Sequence, residues 1–134
     1  TVDFVQSAVS SVQSIARVGR PSVAHATAVG KVFLACGGKL PDGPLAAYTA
    51  STITDPEELA EEVDRAATRG WAEAVGEREG DLNAIAAPII GRRGELVAIL
   101  GLQGPSSRFN RRAMRAAVDQ LLSSAARLST RPPR

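Results

Sequence analysis

The sequence contains one cysteine, Cys36, and one histidine, His25. A single thiol excludes an internal disulfide framework and fits residence in the cytoplasm. With so few soft ligands there is no His/Cys cluster of metal-binding spacing, and no metal or other cofactor is expected. Nucleophilic catalysis by Cys36 would need a base beside it. If the intervening segment is helical, His25 lies about three turns away, roughly 16 Å along the axis. Cys36 is therefore expected as a small apolar filler, and His25 as a structural residue where a helix begins. Aromatic residues make up only 4% of the chain, which leaves no stacking platform for single-stranded nucleic acid. No apolar run reaches the roughly 18 residues of a membrane span, and no stretch has the pattern of a secretory signal. The formal net charge of +2 is too small for an overall nucleic-acid-binding surface. Lysine is nearly absent: Lys31 and Lys39 are its only instances, and the excess of arginine reads as codon bias.

Against this background the best-defined stretch is Leu82 to Gln103, LNAIAAPII-GRRG-ELVAILGLQ. Two short arms rich in Ile, Val and Leu flank a glycine-bounded connection, the pattern of a β-hairpin. Pairing Ile90 with Glu95 across a four-residue loop sets Ile99 opposite Ala86, Gly101 opposite Ala84, and Gln103 opposite Leu82. Residues two apart share a face, so these six line one side of the ribbon. Directly opposed side chains sit within about 5.5 Å, so Ala84 facing Gly101 leaves a hollow with Gln103 at one end. An apolar hollow with one polar group suits a small ligand. The alternative is that a helix fills it as ordinary core.

Taken in order, Val2 to Val9 and Val12 to Val18 read as two short, partly exposed strands, and Gly19-Arg20-Pro21 as a loop. A buried helix follows, capped by Thr27, with Ala28, Val29, Val32, Phe33 and Cys36 at helical spacing and Gly37-Gly38 at its end. Residues 40–54 read as loop with one helical turn at most. The next helix has Asp55 as cap, Pro56 at its first position and Gly70 as its stop. Its buried stripe is Leu59, Val63, Ala66 and Ala67, and Glu61 and Arg65 form an i,i+4 pair. Trp71 to Val75 reads as a strand, followed by a solvated acidic loop containing Glu77 and Glu79. Gly104-Pro105-Ser106-Ser107 forms a turn. The last helix begins near Phe109, with Met114, Val118, Leu121, Leu122, Ala125 and Leu128 on its apolar stripe. Residues 129–134 read as a disordered tail. Hairpin-joined strands with helices grouped between them predict an α+β domain with a mostly antiparallel sheet flanked by helices.

Two further patterns bear on function. Gly30-Lys31 invites a phosphate-loop reading, but His25 and Val32 stand where that motif needs glycine and a hydroxyl. Arg108, Arg111, Arg112 and Arg115 cluster on the polar face of the last helix without aromatic partners, and nucleic acid is not favoured there. The helix start at Ala28 and Val29 is more promising. Its free N–H groups and dipole can accept an anion, and no acidic side chain in that turn competes. A carboxylate held there, with an apolar body in the hollow, makes a coherent site if helix and ribbon are adjacent.

HATAVGKVFLA, RGWAEAVGERE, LNAIAAPI and GELVAILGLQGPSSRF, followed by a helix, resemble in order and spacing the C-terminal effector-binding domain of IclR-type (isocitrate lyase regulator) transcription factors. The resemblance covers the chain from about Arg17 onward. It implies a GAF-like fold and a non-enzymatic role: sensing a small effector so as to modulate promoter binding by a winged helix-turn-helix domain absent from residues 1–134. It also implies a homodimer or homotetramer that touches DNA only through that missing domain. The start at Thr1, inside the strand-like VDFV, suggests an effector domain cut short at its N-terminus. The family's effector positions fall on Ala28, Val29, Ala74, Leu82, Ala84, Gly101 and Gln103. Family members often carry carboxylate, thiol or hydroxyl groups where this chain has Ala74, Ala84 and Gly101. The glycine usual just before LNA is displaced to Gly80, with Asp81 in its place. The expected effector is accordingly a carboxylate with an apolar or aromatic body. The rival readings are a structural dimerisation module with a vestigial pocket and a small enzyme on the same scaffold.

Overall fold

The computed structural model describes the backbone of residues 3–5, 8–9, 12–13 and 21–129, and side chains from 23 to 129. Strands β1 (Asp3–Val5), β2 (Ala8–Val9) and β3 (Val12–Gln13) precede a 3-10 helix, Pro21–Ala26, and helix α1 (Ala28–Ala35). Helix α2 (Pro56–Arg69), strands β4 (Ala72–Val75), β5 (Leu82–Ile90) and β6 (Leu96–Pro105), and helix α3 (Arg111–Leu128) complete the order. The sheet runs β2-β3-β6-β5-β4, with β1 also on β6. All described pairings are antiparallel except β1 with β6. The α+β, mostly antiparallel expectation holds. Of the two expected N-terminal strands, the first is divided into β1 and β2. Residues 14–18 of the second, and 130–134 of the expected tail, lie outside the described residues.

Three layers follow from alternation along the strands. Ile85, Ala87 and Ile89 of β5, with Ala98, Leu100 and Leu102 of β6, pack under Phe109, Met114, Leu121 and Ala125. The opposite face carries Ala72, Ala74, Ala86 and Ile99 against Ala28 and Val32 of α1 and Ala66 of α2. Because both faces are covered, the central arms read as continuous apolar runs rather than as alternating ones.

The hairpin register differs from the simple count. Gly91 N–H donates to Glu95 O at 2.8 Å and Gly94 N–H to Gly91 O at 3.1 Å, so the loop proper is residues 92–94. Gly94 takes φ +80°, the left-handed conformation that closes a three-residue loop. Ile90 thus pairs with Leu96, and a bulge at Val97 then sets Ile89 opposite Ala98. These two single-residue slips add. Ala84 faces Gln103, Ala86 faces Gly101, and Leu82 faces Pro105. A shift of two restores the side-chain alternation, so the six residues still share one face.

The helix ends follow their caps. Thr27 Oγ1 accepts Gly30 N–H at 2.9 Å, Asp55 accepts Glu57 N–H, and Gly70 stops α2 at φ +88°. Several expectations need correction. In α2, Glu62 is buried and Ala67 exposed, and Arg65 pairs with Glu62 at 3.1 Å rather than with Glu61. The reason is that Glu62 is drawn inward by a buried charge described below. Gly104 and Pro105 extend β6 instead of turning, α3 starts at Arg111 with Asn110 as its cap, and Leu128 is 49% exposed at the end of α3. Cys36 is exposed at the end of α1 rather than filling core.

Candidate functional site

A cavity of about 450 Å³ lies between the first turn of α1 and the sheet face formed by β4, β5 and β6. It has a sequence origin. Further along α1, Val32 meets Ala86 and Ile99 as closed core. Toward the helix start the wall is made of Ala26, Ala28, Ala74, Ala84 and Gly101, side chains too small to bridge the gap. Ala28, Val29, Ala74, Leu82, Ala84, Gly101 and Gln103 all line this one space. Gln103, facing Ala84 across the hairpin, sets its amide in an otherwise apolar floor. The volume lies within the roughly 300–1,000 Å³ usual for ligand pockets.

At the helix end of the cavity the donors can be counted. Lys31 N–H is bonded to Thr27 O and Gly30 N–H to the Thr27 hydroxyl. The N–H groups of Ala28 and Val29 are then the first-turn donors that the helix itself leaves unused. Thr27, Val23, Ala26, Arg78, Glu79, Ile85 and Leu102 also line the cavity and were not expected from the sequence. Arg78 and Glu79 follow β4 in the segment taken as a solvated loop, where spacing gives no sign of which way they face.

That loop is fixed from below by the chain's least anticipated feature. Lys31 is fully buried, its Nζ 3.0 Å from Glu62 Oε2, 2.8 Å from Glu77 Oε1 and 2.9 Å from Glu73 O. Glu77 Oε2 accepts a hydrogen bond from the same ammonium at 3.0 Å, and Oε1 makes a close ionic contact with it. Glu77 is thus a buried ion-pair partner and not a solvated loop residue. Burial works to raise the pKa of the Glu62 carboxyl, but Lys31 and Arg65 outweigh it and hold the group below its ordinary value. The available signal was a lysine inside a helix apolar nearly all round, because a buried ammonium requires partners.

From above, the loop is held by residues 46–52. Thr49 Oγ1 donates to Gly76 O at 2.6 Å and Thr52 Oγ1 to Glu77 O at 2.5 Å. The Arg78 guanidinium stacks 4.3 Å from the centre of the Tyr48 ring. His25 is buried and donates from Nε2 to Ala46 O at 2.8 Å, so it ties this segment to the 3-10 helix, the structural role expected of it. Although Cys36 is exposed as a residue, partial desolvation of its thiol pushes the pKa up, away from a reactive thiolate. Among the described residues no group of His, Cys, Asp and Glu could hold a metal ion, and no helix is long and apolar enough to cross a membrane. The arginines at 108, 111, 112 and 115 are exposed, with Arg111 lying 3.8 Å from Glu73.

Comparison with known proteins places these features in context. The family model described as "Bacterial transcriptional regulator IclR C-terminal" matches residues 2–130. The HTH-type transcriptional regulator BhcR of Paracoccus denitrificans is 32% identical over 117 residues, which are 83% of this chain and 42% of that protein. The chain spans less than half the length of curated relatives such as these. Among solved structures, the C-terminal domain of the E. coli regulator KdgR superposes with TM-score 0.67 at 29% identity, over 79% of this chain and 68% of that one. The inducer-binding domain of the PobR transcription factor from Acinetobacter, a double mutant in complex with 3-hydroxybenzoic acid, gives TM-score 0.70 at 27% identity, over 78% and 63%.

Proposed function

The chain belongs to the IclR family of bacterial transcriptional regulators, as its C-terminal domain, and from that premise we propose that the cavity binds a small carboxylate with an apolar or aromatic body. The family consists of regulators rather than enzymes, and its effector domains have a GAF-like fold. The observation that carries the reading is the convergence of Ala28, Val29, Ala74, Leu82, Ala84, Gly101 and Gln103 on one space. The carboxylate meets the Ala28 and Val29 N–H groups at the positive end of α1. The body lies over Ala84 and Gly101, and the Gln103 amide donates one further hydrogen bond. A small, very polar oxo-acid would leave oxygens unpaired against Ala74 and Ala84 and is disfavoured. The aromatic acid bound by the PobR domain supports the same class of ligand. Effector binding modulates promoter recognition by a winged helix-turn-helix domain of the full-length regulator, which acts in the cytoplasm as a homodimer or homotetramer.

The test is a thermal-shift screen of residues 1–134 against aromatic and aliphatic monocarboxylates. A ligand at about a hundred times its Kd stabilises the domain by roughly 2.7 kcal/mol. For a domain of this size that is several degrees of Tm. No shift from any acid in the panel overturns the proposal.

A further inference from the structure

Among the described residues, Arg78 is the one cationic side chain in the cavity wall. None of the ion pairs among the described residues includes it. Its guanidinium instead lies on the Tyr48 ring, which fixes the plane of the fork while leaving its N–H edge to other partners. The backbone on both sides is anchored. Glu77 is held by Thr52 and Lys31, and Glu79 O accepts from Leu82 N–H at 3.1 Å. A half-buried, stacked and unsalted arginine on anchored backbone is preorganised for an anion, and a planar fork matches a carboxylate with two parallel hydrogen bonds.

We propose that the ligand of this cavity carries two acidic groups: one carboxylate at the start of α1 and a second on the Arg78 guanidinium. This rests on the acid-site reading above and deepens it from a monoacid to a diacid with an apolar or aromatic spacer. Glu79 also lines the cavity, but it is exposed, so water screens its repulsion more than it weakens the half-buried Arg78. Arg78 is thereby the residue that sets specificity, and Tyr48 is its positioning residue.

The experiment is calorimetric titration of residues 1–134 with benzoate, benzene-1,3-dicarboxylate and benzene-1,4-dicarboxylate. At least one dicarboxylate is expected to bind about ten- to hundred-fold more tightly than benzoate, the ratio that one charge-assisted contact supplies. In Arg78→Met that ratio falls to near one, whatever common change the loss of the Tyr48 contact makes to the affinity for all three acids and to the unliganded Tm. Arg78→Lys restores part of the ratio, because it keeps the charge and loses the fork. A general disturbance of the fold would weaken all three ligands together and so would not move the ratio. Equal affinity for benzoate and both dicarboxylates in the unmodified chain overturns this inference alone, and so does an unchanged ratio in Arg78→Met. Failure of all three acids to bind overturns both it and the acid-site reading.

Discussion

A lysine with no exposed surface must have its charge answered from within the protein, and Lys31 is answered by two carboxylates from different elements. Glu62 belongs to α2 and Glu77 to the loop after β4, so one ammonium ties three segments together around the end of the cavity. Removing the cation alone leaves two buried negative charges close to each other. Lys31→Met is therefore expected to cost about 3–5 kcal/mol, read as a fall in the urea midpoint. Replacing both carboxylates by Gln in the same chain should recover part of that loss, because no buried charge is then left unpaired and Arg65, which loses Glu62, is solvated. The network also gives a pH dependence. The folded-state pKa of Glu62 lies below its ordinary value of 4.5, so its contribution is whole above 4.5 and is lost as pH falls through the folded value. Stability followed by denaturant titration should decline on acidification, and Glu62→Gln should flatten part of that decline. Little of this was legible beforehand. Lys31 stood out in an apolar helix, but Glu62 and Glu77 look like any solvated acid in an acidic stretch, and only tertiary placement selects them over Glu61 or Glu79.

At the level of elements, the features that could be read were those with local causes. The ends of α2 are set by Asp55, Pro56 and Gly70, each acting on its own backbone, and they fall where the sequence puts them. The hairpin arms follow from composition. Their register does not, because a three-residue loop and a bulge at Val97 each cost one residue of offset, and neither leaves a composition signal. The cavity face survived that error only because the two offsets sum to an even number. Gly30 shows a constraint of the opposite kind, a mid-helix glycine that helix propensity alone disfavours. A Cβ there would overlap the backbone of Ala24 in the preceding 3-10 helix, so the close approach of the two helices requires glycine. Gly30→Ala should displace a segment whose Val23 and Ala26 line the cavity. The expected cost is about 1–3 kcal/mol in urea denaturation, accompanied by weaker acid binding.

For the whole molecule, the question is why a small domain that closes its core on both sheet faces leaves about 450 Å³ open at one end of α1. Packed interiors tolerate few voids, and a chain selected for stability alone would fill the space with one larger side chain. Gly101 is the position from which to do so, on the cavity face of β6 and opposite Ala86. If the space exists for a ligand, Gly101→Phe lays its ring in the hollow, gains apolar contact and keeps the fold. The unliganded Tm then holds or rises, while the shift induced by benzoate disappears. If the space is core that closes in solution, the added ring overpacks it, and the variant loses about 1–3 kcal/mol without any ligand present. The two outcomes have opposite signs in one melting experiment on the unliganded variant. A destabilised Gly101→Phe, together with an original chain that no acid stabilises, would remove effector binding from this domain and leave a structural module of the regulator.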